Sequence, residues 1–467
     1  MKIVMIGCGV ANIFASIELI NKGYSGRDIV IYEKGKRIEN RKCFVNANTP
    51  CKKCGVCSIV HGCAGAGSFS DSKLNFDVSG RVGGDLAELM TKEDIEDFLK
   101  RVYKIYQQFG VEEFSSKAYG KEKTDKAIEI INKIKENPRL DIGECVTIHI
   151  GSENSQIIYA RMIDFLKVHD VTIKHDCEVT DIDMERKVIW YKEGYQMKQD
   201  TFDKLSLGVG RSGNNFVRQV CLKNNIKMKN GKTELGVRVE TTNEIMKDLN
   251  ENFYELKIYF KGSFGDEART FCQNPGGFVT VESYNVDGEK MFTANGHSFR
   301  NKKSNNTNFA ILVSRDFGED MENPLVNYSH SLMTATNSLG NNSVILQSLK
   351  DIKEYKRSTE ESISRLNIVP TANVYKGDLT SSIPFRTLTT ILEFIEELNT
   401  IAPGINGDET LLYGLEVKLT SNKVLIDKYG KSSNRDLYVI GDASGYCRGL
   451  TTGAGMGLLM VDDLLNK

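Results

Sequence analysis

The chain has 467 residues, and its 61 lysines and arginines nearly balance 62 aspartates and glutamates, which gives a formal net charge of −1. This length accommodates two or three domains with substantial buried cores. The balanced charge gives no strong signal for nucleic acid or for an anionic membrane surface. No apolar run approaches the roughly 18 residues that a membrane-spanning helix needs, so we expect no membrane partner.

The N-terminal segment has the pattern strand, helix, strand over residues 2–6, 10–22 and 28–32. It begins with one lysine and an apolar stretch, as a secretory signal does. Glycines, Asn12 and Glu18 interrupt that stretch, and no small-residue cleavage site follows it. We therefore expect a cytoplasmic protein.

Residues 40–80 are rich in Cys, Gly, Ser and Asn, which is typical of an irregular functional loop. The apolar spacing further along predicts helices over 95–109, 121–135, 161–169 and 214–222, and strands over 171–174, 178–183, 187–191, 202–209, 236–240, 256–260, 278–282 and 309–313. The polar stretch 301–308 is expected to be exposed. A strand over 437–440 precedes a glycine-rich segment and a C-terminal helix.

The first chemical motif is Gly7-Cys8-Gly9-Val10-Ala11-Asn12, between a strand and a helix. Its first two glycines permit a tight turn and a close approach of the backbone to a pyrophosphate, which the helix N-terminus would bind. Glu33, followed by Lys34, ends the next strand at the spacing of an acid that binds ribose hydroxyls. Asn12 stands in place of a third glycine and either loosens the helix–strand packing or supplies an amide contact. The alternative is an ordinary glycine-rich turn.

A second motif lies near the C-terminus, where a strand runs into Gly441-Asp442. A carboxylate at this position can accept a hydrogen bond from a ligand hydroxyl. The segment 449–455, GLTTGAG, would then open a helix whose N-terminus favours negative charge on the ligand. The contacts expected from this segment are those of Gly449, Thr452, Gly453 and Ala454.

Together these motifs resemble the glutathione-reductase-type FAD fold, in which an N-terminal β-α-β unit and a C-terminal Gly-Asp strand jointly hold FAD. The resemblance implies an α/β protein with a three-layer FAD/NAD(P)-binding fold and an inserted mixed α+β substrate domain. It places Asp442 on the ribityl chain and the helix after Gly449 at the flavin pyrimidine edge. Further positions that match the family pattern are Gly35 and Arg41 after Glu33, Val179 against adenine, and Gly208 and Gly210 in LGVGRSG.

Two longer stretches, GCAGAGSFSDSKL at 62–74 and RTFCQNPGGF at 269–278, resemble a largely uncharacterised family of bacterial FAD-dependent dehydrogenases. In that family a Gly/Ala-rich loop followed by Phe-Ser-Asp and Lys-Leu lies in the first flavin-contacting segment. The resemblance implies cofactor contacts from Gly65, Ala66, Gly67, Ser68, Ser70, Asp71 and Lys73. The alternative for this loop is a solvated Gly/Ser turn.

The segment LGVGRSG also satisfies a second G-x-G-x-x-G pattern through Gly208, Gly210 and Gly213. A separate nicotinamide-nucleotide site should open its own β-α-β unit, with a ribose acid on the next strand. A helical pattern follows Gly213, but no clear strand and acid succeed it. We therefore assign these glycines to FAD and expect no dedicated second dinucleotide domain.

Five of the 11 cysteines crowd into one segment, at positions 43, 51, 54, 57 and 63. Cys51, Cys54 and Cys57 have the two-residue spacing of ferredoxin-like clusters, with Cys43 or Cys63 as a fourth ligand. Cys43, Cys51, Cys54 and Cys57 are our candidate ligands for a 4Fe-4S cluster. Zinc could use the same four sulfurs, and metal-free cysteines are the third alternative.

The candidate catalytic residues are His297, Arg269, Lys73 and Tyr446. His297 lies in a polar segment of the expected substrate domain. Arg269, together with Arg238, could hold a carboxylate by bidentate hydrogen bonds. Tyr446 follows the Gly-Asp strand and could overhang the flavin. For each of these residues a structural or surface role is the alternative.

We predict a FAD-binding domain over 1–213 and 401–467, which contains the cysteine-rich loop 43–63, and a substrate domain over 214–400. The predicted function is hydride transfer between the flavin and an organic small-molecule substrate. NAD(P)H, a ferredoxin-like protein or oxygen would be the external electron donor or acceptor.

Two alternative functions stay open at this point. One is flavin-dependent oxidation or cleavage of a C–N bond in an amine or amino-acid adduct, in a setting such as nucleotide modification. The other is a flavin/iron–sulfur electron-transfer or redox-sensing module, in which the cysteines exchange electrons with the flavin.

Overall fold

The structure is a computed structural model that describes residues 1–42, 56–69, 72–114, 118–119, 123–143, 146–253, 256–286, 289–298, 302–315, 324–418 and 422–465. The chain divides into two compact units. Unit 1 comprises Met1–Ala118, Cys145–Lys229 and Ser421–Lys467, and unit 2 comprises Tyr119–Glu144 and Asn230–Thr420. The chain therefore leaves unit 1 twice and returns to it twice.

The strands, in chain order, are β1 (Ile3–Ile6), β2 (Ile29–Tyr32), β3 (Lys73–Phe76), β4 (Ala118–Tyr119), β5 (Leu140–Gly143), β6 (Val146–His149), β7 (Thr172–Lys174), β8 (Cys177–Asp183), β9 (Val188–Glu193), β10 (Gln196–Thr201), β11 (Lys204–Leu207), β12 (Met228–Lys229), β13 (Thr233–Thr242), β14 (Lys257–Lys261), β15 (Glu267–Asn274), β16 (Phe278–Val286), β17 (Glu289–His297), β18 (Asn306–Arg315), β19 (Ile345–Ser348), β20 (Tyr375–Lys376), β21 (Leu411–Lys418), β22 (Lys423–Val424) and β23 (Leu437–Val439). The α-helices are α1 (Val10–Asn21), α2 (Lys92–Gln108), α3 (Val111–Phe114), α4 (Asp125–Glu136), α5 (Ser152–Val168), α6 (Asn214–Lys223), α7 (Lys247–Asn252), α8 (Pro324–Leu339), α9 (Leu349–Lys353), α10 (Glu360–Ser364), α11 (Phe385–Leu398) and α12 (Leu450–Leu465).

The centre of unit 1 is a five-stranded parallel sheet in the order β23-β11-β1-β2-β7. Side chains of β1 alternate between its faces, because Ile3 and Met5 join one apolar cluster whereas Val4 and Ile6 join another. All four side chains are buried, as expected of a parallel sheet that is covered on both faces.

Two further layers cover this sheet. Helices α1, α2, α5 and α12 pack on one face, and strands β8 and β9 together with α6 pack on the other. Strand β10 pairs with the outer edge of β9 and is largely exposed. Helix α12 approaches α1 closely because Gly457 has no side chain, and an added Cβ would lie 2.2 Å from the carbonyl oxygen of Ala11. Unit 1 is therefore a three-layer α/β structure.

Unit 2 is built on an eight-stranded sheet in the order β20-β19-β21-β13-β18-β15-β14-β5. Its central pair, β13 and β18, is antiparallel from Thr233 opposite Arg315 to Thr242 opposite Asn306, whereas β19 and β20 are parallel. Apolar residues of α8 and α11 join the core that covers this sheet. Strands β16 and β17 form a separate hairpin.

The boundaries of the two units differ from the predicted domain limits. Residues 214–229 belong to unit 1, because α6 buries Val217 and Val220 in the core beneath the parallel sheet. Residues 401–420 and 119–144 belong to unit 2, because β21 pairs with β13 and β5 pairs with β14. The FAD-binding and substrate roles of the two domains stay predictions.

One expectation about local structure is confirmed with the wrong start, and another is wrong. The helix predicted over 161–169 is only the second half of α5, which begins at Ser152. The end of the polar stretch 301–308 is the buried start of β18 rather than an exposed loop. Its polar groups tolerate burial because they are paired: Asn306 Nδ2 donates to Glu240 Oε1 (3.0 Å), and Thr307 Oγ1 donates to Asn243 Oδ1 (2.8 Å).

Within the ranges given above, no helix combines the length and apolar character needed to cross a bilayer.

Candidate functional site

A tight turn at the carboxyl end of β1 brings two chain segments into contact. Gly7 adopts φ +89°, and its N–H donates to the carbonyl of Tyr32 at 2.8 Å. A Cβ on Gly7 would lie 2.6 Å from the carbonyl oxygen of Gly208, so no other residue fits there. Helix α1 then begins with Gly9 as its N-cap, and no side chain caps it. Its first N–H groups and the positive end of its dipole are therefore available to an anion.

Asn12, which replaces the third glycine of the motif, holds this turn together. Its fully buried amide donates from Nδ2 to the carbonyls of Ile6 (3.1 Å) and Gly7 (2.7 Å), and its Oδ1 accepts from Ser206 Oγ (2.7 Å). Gly208 makes room for this amide, because a Cβ there would lie 2.6 Å from Asn12 Nδ2. The amide of Asn12 thus supplies contacts within the protein, and a contact of Asn12 with a cofactor stays a prediction.

Glu33, at the end of β2, is buried and bound by backbone groups. Its Oε2 accepts from the N–H of Cys8 (2.8 Å), and its Oε1 accepts from the N–H groups of Gly35 (2.8 Å) and Gly62 (3.1 Å). The carboxylate thereby joins three segments: the Gly7–Gly9 turn, the end of β2 and the loop that carries Gly62.

Arg41 fixes the loop 57–69, which folds over the Gly7–Gly9 turn. Its buried guanidinium donates to the carbonyls of Ser58 (2.9 Å), Ile59 (2.9 Å), Cys63 (2.6 Å) and Gly65 (2.8 Å) and lies 4.2 Å from the centroid of the Phe69 ring. Burial lowers the pKa of Arg41 to about 10. The side chain therefore acts on the loop, and a contact of Arg41 with a cofactor stays a prediction.

Cys8 and Cys63 meet where this loop crosses the turn. Their Sγ atoms are 3.1 Å apart, and both side chains are fully buried. The hydrogen bond to Cys63, together with burial, raises the pKa of the Cys8 thiol well above its ordinary value. The loop is further held by the N–H of Ala64, which donates to the carbonyl of Cys8 at 2.7 Å.

The C-terminal motif reaches the same helix N-terminus. Gly441 adopts φ +63°, and a Cβ on it would lie 3.2 Å from Cβ of Ala11. A Cβ on Gly453 would lie 3.3 Å from Cγ1 of Val10. Asp442 Oδ2 is 3.1 Å from Arg211 Nε. Burial raises the pKa of the Asp442 carboxyl, although Arg211 and Arg448 act in the opposite direction.

The other candidate cofactor residues of unit 1 lie on several elements. Gly65 adopts φ +64°, and a Cβ on it would lie 3.3 Å from Cα of Gly9. Thr452 Oγ1 donates to the carbonyls of Gly83 (3.0 Å) and Gly449 (3.1 Å). Of the remaining candidates, Ser68, Val179 and Ala454 are buried, Lys34 and Gly67 are half-buried, Ala66 is exposed, and Gly210 has φ +64°.

The candidate metal ligands Cys43, Cys51 and Cys54 lie outside the described residues, as do Ser70 and Asp71. Cys57 is described and half-buried, and its carbonyl accepts from the N–H of His61 at 2.8 Å. In the part of the chain that the structure describes, no three His, Cys, Asp or Glu side chains are grouped to hold a metal ion. The cluster stays a prediction.

Two of the four candidate catalytic residues belong to unit 1. Lys73 begins β3 and is half-buried. Tyr446 is only 2 % exposed, and Lys423 Nζ and Lys229 Nζ lie 5.0 and 5.7 Å from its ring centroid. Burial raises the pKa of the Tyr446 hydroxyl. This packing gives Tyr446 a structural function, and its catalytic role stays a prediction.

The other two candidates belong to unit 2. His297 is exposed at the end of β17. The guanidinium of Arg269 makes a bidentate pair with the Glu234 carboxylate, with Nε–Oε1 and Nη2–Oε2 distances of 2.6 and 2.8 Å. Arg238 is fully buried, with Nη1 3.5 Å from the carboxylate oxygens of Glu416. Both arginines thus already have carboxylate partners within their own unit.

Sequence reasoning missed two features of the unit 1 site. The contact between Cys8 and Cys63 joins positions 55 residues apart, and the ion pair between Arg211 and Asp442 joins the middle of the chain to its end. Local spacing carries no signal for such pairings. The presence of Cys8 inside the glycine motif and of Cys63 in a second glycine-rich segment was the only hint.

Residues 234–419, almost all of the main segment of unit 2, match a family model described as "FAD-dependent protein, C-terminal domain-like". The match supports a flavoprotein that uses FAD. No curated protein matches the sequence.

Solved structures that resemble the chain include CtdE in complex with FAD, at 10 % identity and TM-score 0.30, over 98 % of this chain and 82 % of that one. They also include CmlS, a flavin-dependent halogenase, at 9 % identity and TM-score 0.37, over 98 % of this chain and 56 % of that one. Similarity at this level shows nothing about the activity of this chain.

Proposed function

We propose that the chain is a FAD-dependent oxidoreductase that transfers hydride between the flavin and an organic small-molecule substrate. The observation that carries the proposal is the meeting of four glycine-bearing segments at the N-terminus of α1. Gly7 contacts Gly208, Gly65 faces Gly9, and Gly441 lies against Ala11. A match to a FAD-dependent family over 234–419 supports it independently.

This arrangement fits the pyrophosphate of a dinucleotide. The first turn of α1 has no capping side chain, and Gly9 and Gly65 put no side chain over it. An anionic pyrophosphate at this helix N-terminus would accept hydrogen bonds from the free N–H groups and would be stabilised by the helix dipole.

Two carboxylates fit the hydroxyl groups on either side of the pyrophosphate. A carboxylate has about four acceptor positions; the backbone uses three on Glu33, which leaves room for a ribose hydroxyl. We assign Asp442 to a ribityl hydroxyl, with Arg211 as its neighbour on the protein side. Both roles rest on the end-of-strand positions of the two acids beside the glycine turns.

FAD bound in this way would supply two-electron chemistry at N5 of its flavin. The N-terminus of α12, which carries a partial positive charge, would stabilise negative charge on the reduced form. Lys73 and Tyr446 of unit 1 and His297 of unit 2 are the proposed proton-handling groups, and Arg269 of unit 2 is the proposed carboxylate-binding residue. NAD(P)H, a ferredoxin-like protein or oxygen would exchange electrons with the cofactor.

The first experiment identifies the cofactor. Heat-denatured protein should release FAD in stoichiometric amount, and chromatography separates FAD from FMN. We expect FAD, because FMN lacks the adenosine ribose that Glu33 would bind. Failure of the purified protein to bind FAD, even after reconstitution, would overturn the proposal.

The second experiment tests hydride transfer. Anaerobic protein is mixed with NADH or NADPH, and the loss of oxidised-flavin absorbance is followed. A nicotinamide deuterated at the transferred position should slow this loss, because the C–H bond breaks in the step. Reduction without an isotope effect would point to single-electron transfer and against the proposed chemistry.

A third experiment decides the cysteine prediction. Iron and acid-labile sulfide are measured in anaerobically purified protein, in Cys54→Ser and in Cys221→Ser, which changes a buried cysteine of α6. A cluster predicts iron in the wild type and in Cys221→Ser but less in Cys54→Ser. Equal iron in all three proteins would exclude Cys54 as a ligand.

A further inference from the structure

The side chains of Cys8 and Cys63 in unit 1 are in contact through their sulfur atoms, and hydrogen bonds fix the backbone of both residues. The Sγ atoms of Cys8 and Cys63 are 3.1 Å apart in a fully buried setting. Cys8 donates its N–H to Glu33 Oε2, and its carbonyl accepts from Ala64. Cys63 donates its N–H to the carbonyl of Lys36 (3.0 Å), and its own carbonyl accepts from Arg41. Every backbone polar group of the pair is thus occupied.

This geometry needs little change to become covalent. A disulfide has a sulfur–sulfur distance of about 2.0 Å, so the two Sγ atoms, now 3.1 Å apart, must close by about 1 Å. Another buried thiol of unit 1, Cys447, has Sδ of Met456 at 3.2 Å, which cannot form a disulfide. Cys8 and Cys63, unlike Cys447 and Met456, therefore have the two thiols that a disulfide requires.

We propose that Cys8 and Cys63 are a dithiol that a small peroxide oxidises to a disulfide, which joins the Gly7–Gly9 turn to the loop 57–69. The thiolate is the form that reacts with peroxide, and the pKa of the Cys8 thiol is raised, so we assign the first oxidation to the Cys63 sulfur. The peroxide oxidises it to a sulfenic acid and is itself reduced to water. The other thiol then attacks the sulfenic sulfur, the S–S bond forms, and hydroxide leaves and takes up the thiol proton as water. Hydrogen peroxide suits the burial of the pair, because it is small.

The disulfide has a consequence for the cofactor that rests on the proposed function. Loop 57–69 covers the turn that would hold the pyrophosphate, and hydrogen bonds fasten it there. A covalent bond across the same place would prevent the loop from lifting away. Oxidised protein should therefore release FAD several-fold more slowly than reduced protein.

Peptide mapping tests the bond directly in the intact protein. Folded, FAD-loaded protein is treated with a small excess of hydrogen peroxide, alkylated in denaturant and digested with trypsin. Peptide 3–22 contains Cys8 as its sole cysteine, whereas peptide 54–73 contains Cys54, Cys57 and Cys63. We expect these peptides to be linked, with a mass about 2 Da below the sum of the reduced peptides and with fragment ions that place the bond on Cys63.

Single-cysteine variants and urea-unfolded protein serve as controls for the linked peptide. Cys63→Ala should abolish the linked peptide, whereas Cys57→Ala and Cys221→Ala should retain it. Unlinked peptides in the wild type, a bond on Cys54 or Cys57, or equal yield from urea-unfolded protein would overturn the proposal. The wild-type map decides the question even if Cys63→Ala fails to fold.

The rate of FAD release is then measured on oxidised and reduced protein, with Cys8→Ala as the peroxide-insensitive control. Equal release rates from linked and reduced wild-type protein would overturn the effect on the cofactor. A protein that binds no FAD would refute the proposed function, while the peptide map would still decide the disulfide.

Discussion

Two buried charges beside the glycine turn of unit 1 and two charge pairs in the large sheet of unit 2 are stabilised in different ways. In unit 1, backbone N–H groups surround Glu33, and backbone carbonyls with one hydroxyl surround Arg41. In unit 2, buried charges face each other: Arg238 pairs with Glu416, and Arg269 with Glu234. Glu33 and Arg41 thus hold the loops around the glycine turn, whereas the charges of the two pairs in unit 2 offset each other within the sheet.

The pKa values of the two buried arginines record this difference. Burial lowers the pKa of Arg41 to about 10, because no carboxylate contacts it closely enough to offset the loss of water. Burial also acts to lower the pKa of Arg238, but Glu416 and Cys272 together outweigh it and the net shift is upward. Unit 1 thus keeps positive charge beside the glycine turns, where an anionic cofactor would use it.

The largest effect is expected when the paired arrangement of unit 2 is broken. Arg238→Ala removes one of the two cations beside the buried Glu416 carboxylate, which keeps Lys418 at 2.9 Å, and takes the donor from Asn308 Oδ1 and from the Cys272 carbonyl. Together these losses should lower the stability of unit 2 by about 3–5 kcal/mol. Hydrogen exchange in β13 and β21 measures the loss. The sole tryptophan, Trp190, lies in unit 1, so its fluorescence reports the unfolding of that unit separately.

The double variant Arg238→Met/Glu416→Leu is the matched control, because it removes both members of the fully buried pair and keeps apolar volume, while Lys418, which is 14 % exposed, can extend its ammonium to water. It should regain most of the lost stability. If the double variant were as unstable as Arg238→Ala, the paired-charge account of unit 2 would be wrong.

Removal of the backbone-bound charge of unit 1 should have a smaller and more local effect. Arg41→Ala leaves several carbonyls of loop 57–69 without a donor, and one charged hydrogen bond contributes about 1.5–3 kcal/mol. We expect faster hydrogen exchange in 57–69 and weaker FAD binding, while β13 exchanges as before. Arg37→Ala, at an exposed position nearby, is the control. If it changed hydrogen exchange in 57–69 and FAD affinity as much as Arg41→Ala does, the effect would not be specific to Arg41.

Asp442→Ala should weaken FAD binding by about 1–3 kcal/mol, because a ribityl hydroxyl would lose its acceptor. This corresponds to roughly fivefold to more than hundredfold weaker binding, measured by titration of FAD into folded apo-protein. Asp442→Asn retains an acceptor oxygen and should lose less. A lower melting temperature with unchanged FAD affinity in Asp442→Ala would assign the residue to turn stability instead.

The smallest effect concerns His61, beside Lys34 and Arg41. Burial, with those two cations, lowers its pKa to about 4, whereas the unfolded value is about 6.5. Between these values the unfolded chain binds the proton and the folded chain does not. The contribution of the neutral His61 side chain to the free energy of unfolding is therefore complete above pH 6.5 and is lost as the pH falls towards 4.

Thermal melts between pH 7 and pH 5 measure this dependence. His61→Asn should flatten it, whereas His169→Asn, at an exposed position of unit 1, should leave it unchanged. An unaltered pH profile in His61→Asn would show that the neighbouring cations do not act on this side chain.

The local parts of the fold and site were predictable from the sequence, and the long-range parts were not. The first β-α-β unit and its glycine turn follow from apolar period and residue type, which are properties of neighbouring positions. Helix α6 joins unit 1 and strand β5 joins unit 2 through contacts with distant segments, which local composition does not encode. Burial of Asn306 depended in the same way on Glu240 in another strand.

The resemblance to a known family identified Arg41 as a site residue but did not predict its hydrogen-bond partners. The family pattern after Glu33 identified the residue, but its partners are carbonyls of a loop whose conformation no side-chain pattern encodes. Cys8 and Cys63 were each visible in the sequence, while their contact depends on how that loop folds.

The return of the chain to unit 1 sets the order of events during biosynthesis. Strand β11 pairs with β23, and α1 packs against α12, yet both partners belong to the segment that is translated after all of unit 2. At about 5–20 residues per second, the ribosome leaves one edge of β11 unpaired for on the order of ten seconds or more. An open parallel strand is a template for wrong pairing, so the nascent protein depends on protection of this edge until its last helix emerges.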